Sequence, residues 1–214
     1  SQSHANVVFD DMFDWLDNVK KLIEKNVDTF FVIRAHPDEL RKGKESLETV
    51  TDWVIANHMM HLPNVLYIAP DQFISSYDLI RIAKFVMVYN STIGLEAAAM
   101  GNAVLSGGKS RFTQVPITYF LKTREAFMQQ AQDMIDAVEW SVPPEFRENA
   151  RKFLYYQFFH TALDFSDFIM PDPVWNGYVK LKDFSAEKLL PENSQTMQII
   201  QGGILEGKPF VIPL

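Results

Sequence analysis

The sequence predicts an α/β domain built on a parallel, doubly wound sheet, followed by a helical C-terminal extension. Three observations carry that expectation. Four short apolar runs alternate with segments of helical periodicity before residue 107. Polar loops holding His, Ser, Thr and Gly follow three of those runs. After Gly108 the pattern changes to two long helical segments and then to irregular sequence. Strands alternating with helices at this spacing are the mark of β–α–β crossovers and a parallel sheet.

Taken in order, residues 10–26 ("DDMFDWLDNVKKLIEKN") put Met12, Phe13, Leu16, Val19 and Ile23 on one helical face. Residues 29–34 ("TFFVIR") form a continuous apolar run, the pattern of a strand covered on both faces. The loop "AHPDELRKGKES" follows, and Pro37 turns His36 away from helix. Residues 47–59 read as a helix, 64–69 ("NVLYIA") as a strand, and 75–83 ("SSYDLIRIA") as a helix with a Ser cap. Residues 84–89 ("KFVMVY") make the third strand. Residues 92–100 ("TIGLEAAAM") make a short helix stopped by Gly101, and 102–106 ("NAVLS") the fourth strand. Residues 123–140 and 143–163 read as helices, the second opening at a Pro pair. From about Pro171 the sequence is irregular. Its end, "GGILEGKPFVIPL", has too little periodicity for a core of its own and is expected to pack on something else. Residues 1–165 are thus expected as the α/β domain and 166–214 as the extension.

Composition narrows the function classes. The net charge is −7, which argues against nucleic-acid binding through a basic surface. There is no cysteine, which removes disulfides, thiolate catalysis and Cys-based zinc sites and fits a reducing compartment. No run of about 18 apolar residues occurs, so no transmembrane segment is expected. The chain opens at Ser1 without a Met, which is read as a processed or cut end, and no signal peptide is visible. Asn90-Ser91-Thr92 matches a glycosylation sequon, but a turn entering a core helix is a poor acceptor, so the match is taken as chance.

Ligands of parallel sheets collect at the carboxyl ends of the strands. After the first strand, His36 is presented by the following proline and can donate to a phosphate oxygen, with Arg34 adding charge. A loop His capping a carbonyl is the ordinary alternative. After the third strand, Asn90, Ser91 and Thr92 stand where helix N–H groups and Ser/Thr hydroxyls can receive an anion, and Gly94 presents no side chain. An ordinary N-cap is the alternative there. Glu96 is not the capping-box acid of either Ser91 or Thr92, since that position is Gly94 or Leu95. Among Ala97, Ala98 and Ala99 it suits the hydroxyls of a ribose, with a solvated helix acid as the ordinary alternative. Gly107, Gly108 and Lys109 are expected to line the same cleft from the next strand end.

Other chemistry is thin. "AVLSGGKS" fits a relaxed phosphate loop, but Val104 and Leu105 read as strand and no helix follows Ser110. There is neither a G-x-S-x-G elbow nor an H-E-x-x-H pair. His58 and His61 lack nearby acids and read as surface residues, so no metal site is expected. "FLYYQFFH" has helical spacing and reads as helix core rather than as a stacking platform.

The segments "VIRAHPDE" and "YNSTIGLEAAAMGNAVL", each following or ending a strand, resemble the capsule and surface polysaccharide biosynthesis glycosyltransferases over roughly residues 10–165. The resemblance implies a Rossmann-like domain, the C-terminal, donor-binding half of a two-domain GT-B fold. It implies that His36 takes the donor phosphate, that Ser91 and Thr92 join it, and that Glu96 holds the ribose. The donor would be a nucleotide sugar, CMP- or UDP-linked, with no further cofactor. A glycan or lipid-linked acceptor would reach the site through an N-terminal domain or partner chain. That domain often supplies the catalytic acid or base in such enzymes, so no catalytic residue is named and the chain alone is expected to be inactive. A cytoplasmic location, or one peripheral to the inner face of a membrane, goes with this reading. An epimerase-like domain on the same substrate, and a non-catalytic module of a polysaccharide assembly complex, remain alternatives.

One outcome separates the phosphate-loop lookalike from these readings. Purified protein should show no magnesium-dependent ATP or GTP hydrolysis, and Lys109→Ala should change nothing. A robust hydrolysis lost with Lys109 would restore the phosphate-loop reading.

Overall fold

The first helix begins where Asp11, in extended backbone, accepts from the N–H groups of Phe13 and Asp14. These are two of the donors every helix N-terminus leaves without an internal partner. The computed structural model describes residues 3–40 and 48–213. The second half of the polar loop after the first strand, and Leu47 at the start of the helix expected next, lie outside the described residues, as does Ser1. α1 (Met12–Lys25) buries Trp15, Leu16, Val19, Leu22 and Ile23, which fall on one side of a 3.6-residue repeat.

β1 (Phe31–Arg34) and β2 (Val65–Ile68) pair in parallel, with Phe31 opposite Val65 and Arg34 opposite Ile68. β3 (Val86–Val88) and β4 (Val104–Ser106) form a second parallel pair. α2 (Val50–Ala56), α3 (Ser76–Ile82) and α4 (Ile93–Met100) fill the three intervals between successive strands. The protein is therefore mixed α/β, with seven α-helices and small parallel sheets among the described residues. In place of one continuous sheet, the four parallel strands among the described residues form two ladders of two strands each.

Both ladders feed one core. Phe31, Ile33, Val65 and Tyr67 of the first, and Met87, Tyr89, Ala103 and Leu105 at the second, pack with α1, with Trp53 and Val54 of α2, and with α5 (Arg124–Asp136). α4 lies on the opposite face of the second ladder, so close that a Cβ at Gly94 would stand 2.8 Å from the Val88 side chain. α4 stops at Gly101, whose φ of 102° is a conformation that favours glycine.

The first ladder is covered differently. Val32 and Leu66 face each other across it and are 41% and 44% exposed. The run "TFFVIR" therefore has one open side near its start, although its continuous apolarity reads as a strand covered twice. A short apolar run does not distinguish the two cases, because periodicity needs polar residues to become visible. Among the described residues no helix is long and apolar enough to cross a membrane.

Two compact units divide the chain, Ser1–Ala150 and Arg151–Leu214, with the boundary inside α6 (Pro144–Phe159). The second unit has more regular structure than its sequence suggests. β5 (Ile169–Pro171) and β6 (Val179–Leu181) pair antiparallel. Their turn is built by Asp172, whose carboxylate accepts from the N–H groups of Val174 and Trp175. Phe168 is buried against Phe184 in an edge-on contact at 5.1 Å. α7 (Gln195–Glu206) starts at Ser194, which caps Met197, and runs straight through Gly202 and Gly203. A side chain at Gly203 would collide with the Phe210 ring, so the glycine that weakens the helical signal also admits the returning tail. "FLYYQFFH" does not serve as helix core: Tyr155, Tyr156, Phe158 and Phe159 are all exposed.

Of the described glycines in the first unit, Gly107 is the most crowded. Its N–H donates to the Val88 carbonyl at 2.8 Å, and an added Cβ would lie 2.5 Å from Nε1 of the buried Trp15. Gly107→Ala should lower stability by about 1–3 kcal/mol, the usual cost of overfilling a packed site. The measurement is the urea midpoint of the variant. A midpoint equal to the parent's would mean that Trp15 yields without cost.

Candidate functional site

Arg34 ends β1, and its neighbour Ala35 extends the ladder by donating to the Ile68 carbonyl at 3.0 Å. The Arg34 side chain is half-buried, and its Nη1 is fully buried with no hydrogen-bond partner among the described residues. His36 is exposed two residues on. Its Nδ1 accepts from the Asp38 N–H at 3.0 Å, which assigns the proton of the neutral ring to Nε2. The ring therefore offers an outward N–H donor. The chain then makes a 3-10 turn over Pro37–Leu40. Glu39 in that turn accepts from the Val50 N–H and the Thr51 hydroxyl at the start of α2, anchoring the turn that carries His36.

After β3 the chain passes Tyr89 and enters α4 with Thr92 in the N-cap position. Thr92 is exposed and its hydroxyl makes no capping bond. The Ser91 hydroxyl accepts weakly from the Ile93 N–H at 3.4 Å. The N–H groups of Gly94 and Leu95 bond to the carbonyls of Ser91 and Thr92 at 3.1 and 3.0 Å. These donors are engaged within the turn, so what this end of α4 holds ready for a ligand is chiefly the Ser91 and Thr92 hydroxyls beside half-buried Asn90. Gly94 is buried toward Val88, so its missing side chain serves packing against the sheet.

Glu96 is half-buried and not a free surface acid. It accepts a short hydrogen bond from the phenol of Tyr77 in the first turn of α3. That bond, with the Glu96 charge, raises the Tyr77 pKa above its ordinary value. Sequence spacing does not reveal Tyr77, which lies 19 residues away and on another helix. An aromatic hydroxyl in the first turn of the preceding helix was the one available signal.

At the end of β4, Gly107 and Gly108 are buried and continue the parallel ladder, donating to Val88 and Tyr89 at 2.8 and 2.7 Å. Gly108 lies against the Tyr89 ring, where a Cβ would come within 3.0 Å. Lys109 is exposed, and its N–H donates to the Ala5 carbonyl. The glycines set the two strand ends side by side, with their N–H groups occupied by backbone rather than open to phosphate. Ser110 contributes a buried hydroxyl without a hydrogen-bond partner among the described residues.

Tyr89 holds this end in place. Its hydroxyl donates to Asn6 Oδ1 at 2.7 Å, and its ring tilts against Trp15 with centroids 5.8 Å apart. Burial first, and then the charges of Asp11, Asp14 and Asp10, push its pKa up to about 12.

Two groups of residues thus stand at strand ends: Arg34 and His36 after β1, and Asn90–Glu96 with Gly107–Lys109 after β3 and β4. Among the described residues no hydrogen bond or ion pair joins the first group to the second. His58 and His61 are exposed and stack at 5.6 Å. No cluster of three or more metal-ligating side chains occurs among the described residues. Comparison of the chain with family models, with curated proteins and with solved structures returned no match.

The two tyrosines give a pH signature. Both fold with raised pKa values, so their contribution to stability is complete below the unfolded value near 10. For Tyr89 it is lost as the pH climbs through about 12. An alkaline absorbance titration should show Tyr89 as a late step that Tyr89→Phe removes. Glu96→Gln should move one other phenol back toward its ordinary range. A titration unaltered by Glu96→Gln would mean that the Tyr77–Glu96 bond does not persist in solution.

Proposed function

We propose that this chain is the donor-binding half of a glycosyltransferase that uses a nucleotide-activated sugar to build capsular or surface polysaccharide, a Rossmann-like half of a GT-B fold. The observation that carries the reading is the Arg34 guanidinium at the carboxyl end of a parallel strand, with a buried nitrogen that has no acceptor among the described residues. Leaving such a donor unsatisfied costs about 1–3 kcal/mol, and more for a charged group. Native structures keep few such groups, and each calls for an explanation, a bound ion among them. Phosphate suits it, because its oxygens accept the fork of N–H groups that guanidinium presents.

The neighbouring chemistry supports the same ligand. The His36 Nε2–H is a second donor on the same loop. The Ser91 and Thr92 hydroxyls supply donors at the end of β3. Glu96, with one oxygen steadied by Tyr77, keeps acceptor capacity for ribose hydroxyls. Together with the likeness of residues 32–39 and 89–105 to the polysaccharide glycosyltransferases, this favours a nucleotide diphosphate or monophosphate sugar over a bare anion. On this reading the chain binds donor, and transfer needs an acceptor-binding domain to align the reactants, an alignment that carries much of the rate enhancement.

Calorimetric titration with UDP, CMP and GDP is the test. One of the three should bind, and Arg34→Met, His36→Ala and Ser91→Ala should each weaken it by about 1–3 kcal/mol. Glu96→Gln should weaken the ribonucleotide but leave its 2′,3′-dideoxy analogue unaffected. Parental affinity in both Arg34→Met and His36→Ala would sink the assignment. Turnover of a nucleotide sugar without any acceptor would favour an epimerase-like activity instead.

A further inference from the structure

The hairpin of the second unit has one guarded edge and one open edge. Its ladder bonds fix which backbone groups point where. Lys182 donates its N–H to the Phe168 carbonyl at 2.8 Å, and Asp172 donates to the Tyr178 carbonyl at 2.9 Å. Residues 178, 180 and 182 therefore turn their backbone groups toward β5, and alternation turns those of Val179 and Leu181 outward. The same alternation points Ile169 and Pro171 away from β6 on the other edge. There the Ile169 N–H already donates to the Phe165 carbonyl at 3.0 Å, and Pro171 has no N–H to offer. The β5 edge is thus closed to another strand.

The β6 edge lacks such protection. Among the described residues the N–H and carbonyl groups of Val179 and Leu181 make no hydrogen bond. Their side chains are 60% and 74% exposed, and Trp175 in the turn is exposed beside them in sequence. A two-stranded ladder is marginal in water and gains from a third strand. Lys180 stands between the two apolar residues, exposed and with no hydrogen bond or ion pair among the described residues. Asp172, which feels its charge, has its carboxylate on the Val174 and Trp175 N–H groups.

We propose that β6 receives an extended segment of a partner protein as a third, antiparallel strand, with the pattern apolar–acidic–apolar. The two apolar residues of that segment exchange N–H···O bonds with Leu181 and Val179, and its acid lies opposite Lys180. The central position is a non-hydrogen-bonded pair, where facing side chains come closest, so opposite charge counts most there. A second copy of this chain fits poorly, because antiparallel self-pairing centred on Lys180 sets one lysine against another. Main-chain bonds supply the affinity of such strand addition, and Lys180 with its apolar neighbours selects the segment.

The probe is the peptide Ser-Thr-Ile-Glu-Val-Thr-Ser, with fluorescein at its N-terminus and an amide at its C-terminus, titrated with the full chain and read by anisotropy. It should bind saturably. Methylating the backbone nitrogens of its Ile and Val, which face the edge, should weaken it at least about tenfold. Replacing its Glu by Lys should weaken it about fivefold, and Lys180→Glu should invert that preference. Leu181→Pro removes an outward N–H without touching the ladder to β5, and should abolish binding. If Leu181→Pro fails to fold, the inversion in Lys180→Glu decides. No saturable binding, equal affinity of the methylated peptide, a preference unaltered by Lys180→Glu, binding retained by a folded Leu181→Pro, or self-association that Leu181→Pro removes would each overturn the proposal.

Discussion

The indole of Trp15 against the backbone of Gly107 is the contact from which the first unit is arranged. Trp15 sits in the first turn of α1, while Gly107 directly follows β4 and is bonded to β3 through Val88. One side chain thus ties the first helix to the ends of two strands that lie far along the chain. The contact exists only because position 107 has no Cβ. With Gly108 equally close to Tyr89, the glycine pair becomes a seat for two aromatic rings, and the loop after β3 is held from beneath by the core. The rigidity a binding loop needs is supplied here by packing, with the Tyr89–Asn6 hydrogen bond fixing the remaining freedom of the ring.

Elements whose cause is local were legible in the sequence. All four parallel strands, α1 and the stop at Gly101 follow from apolar runs, periodicity and one glycine. α7 was not, because Gly202 and Gly203 break the signal while the reason for them, the Phe210 ring, lies beyond the helix. The division into two ladders was not legible either, since hydrogen bonding between strands leaves no trace in single-chain composition. "FLYYQFFH" illustrates the limit of periodicity, which locates a helix face but not whether anything covers it.

The candidate site divides along the same line. Arg34, His36, Ser91, Thr92 and Glu96 were visible as residues placed after apolar runs. Their states were not. The unsatisfied nitrogen of Arg34, the tautomer of His36 set by Asp38, and the phenol on Glu96 all arise from tertiary placement. Gly94, Gly107 and Gly108, expected beside a ligand, give their space to Val88, Trp15 and Tyr89. A glycine in sequence announces close approach, and only the fold tells what approaches.

The bond from the Lys109 N–H to the Ala5 carbonyl bears on the order in which the chain assembles. It closes a loop nearly six times as long as the one closed when Val86 meets Val104. By the logarithmic growth of closure entropy this costs about 1.5 kcal/mol more than pairing β3 with β4. The β3–α4–β4 crossover is thus the cheaper nucleus, and the segment around Ala5 docks onto it late. The segment around Ala5 is translated well before Lys109 and so waits for the strand end on which it docks.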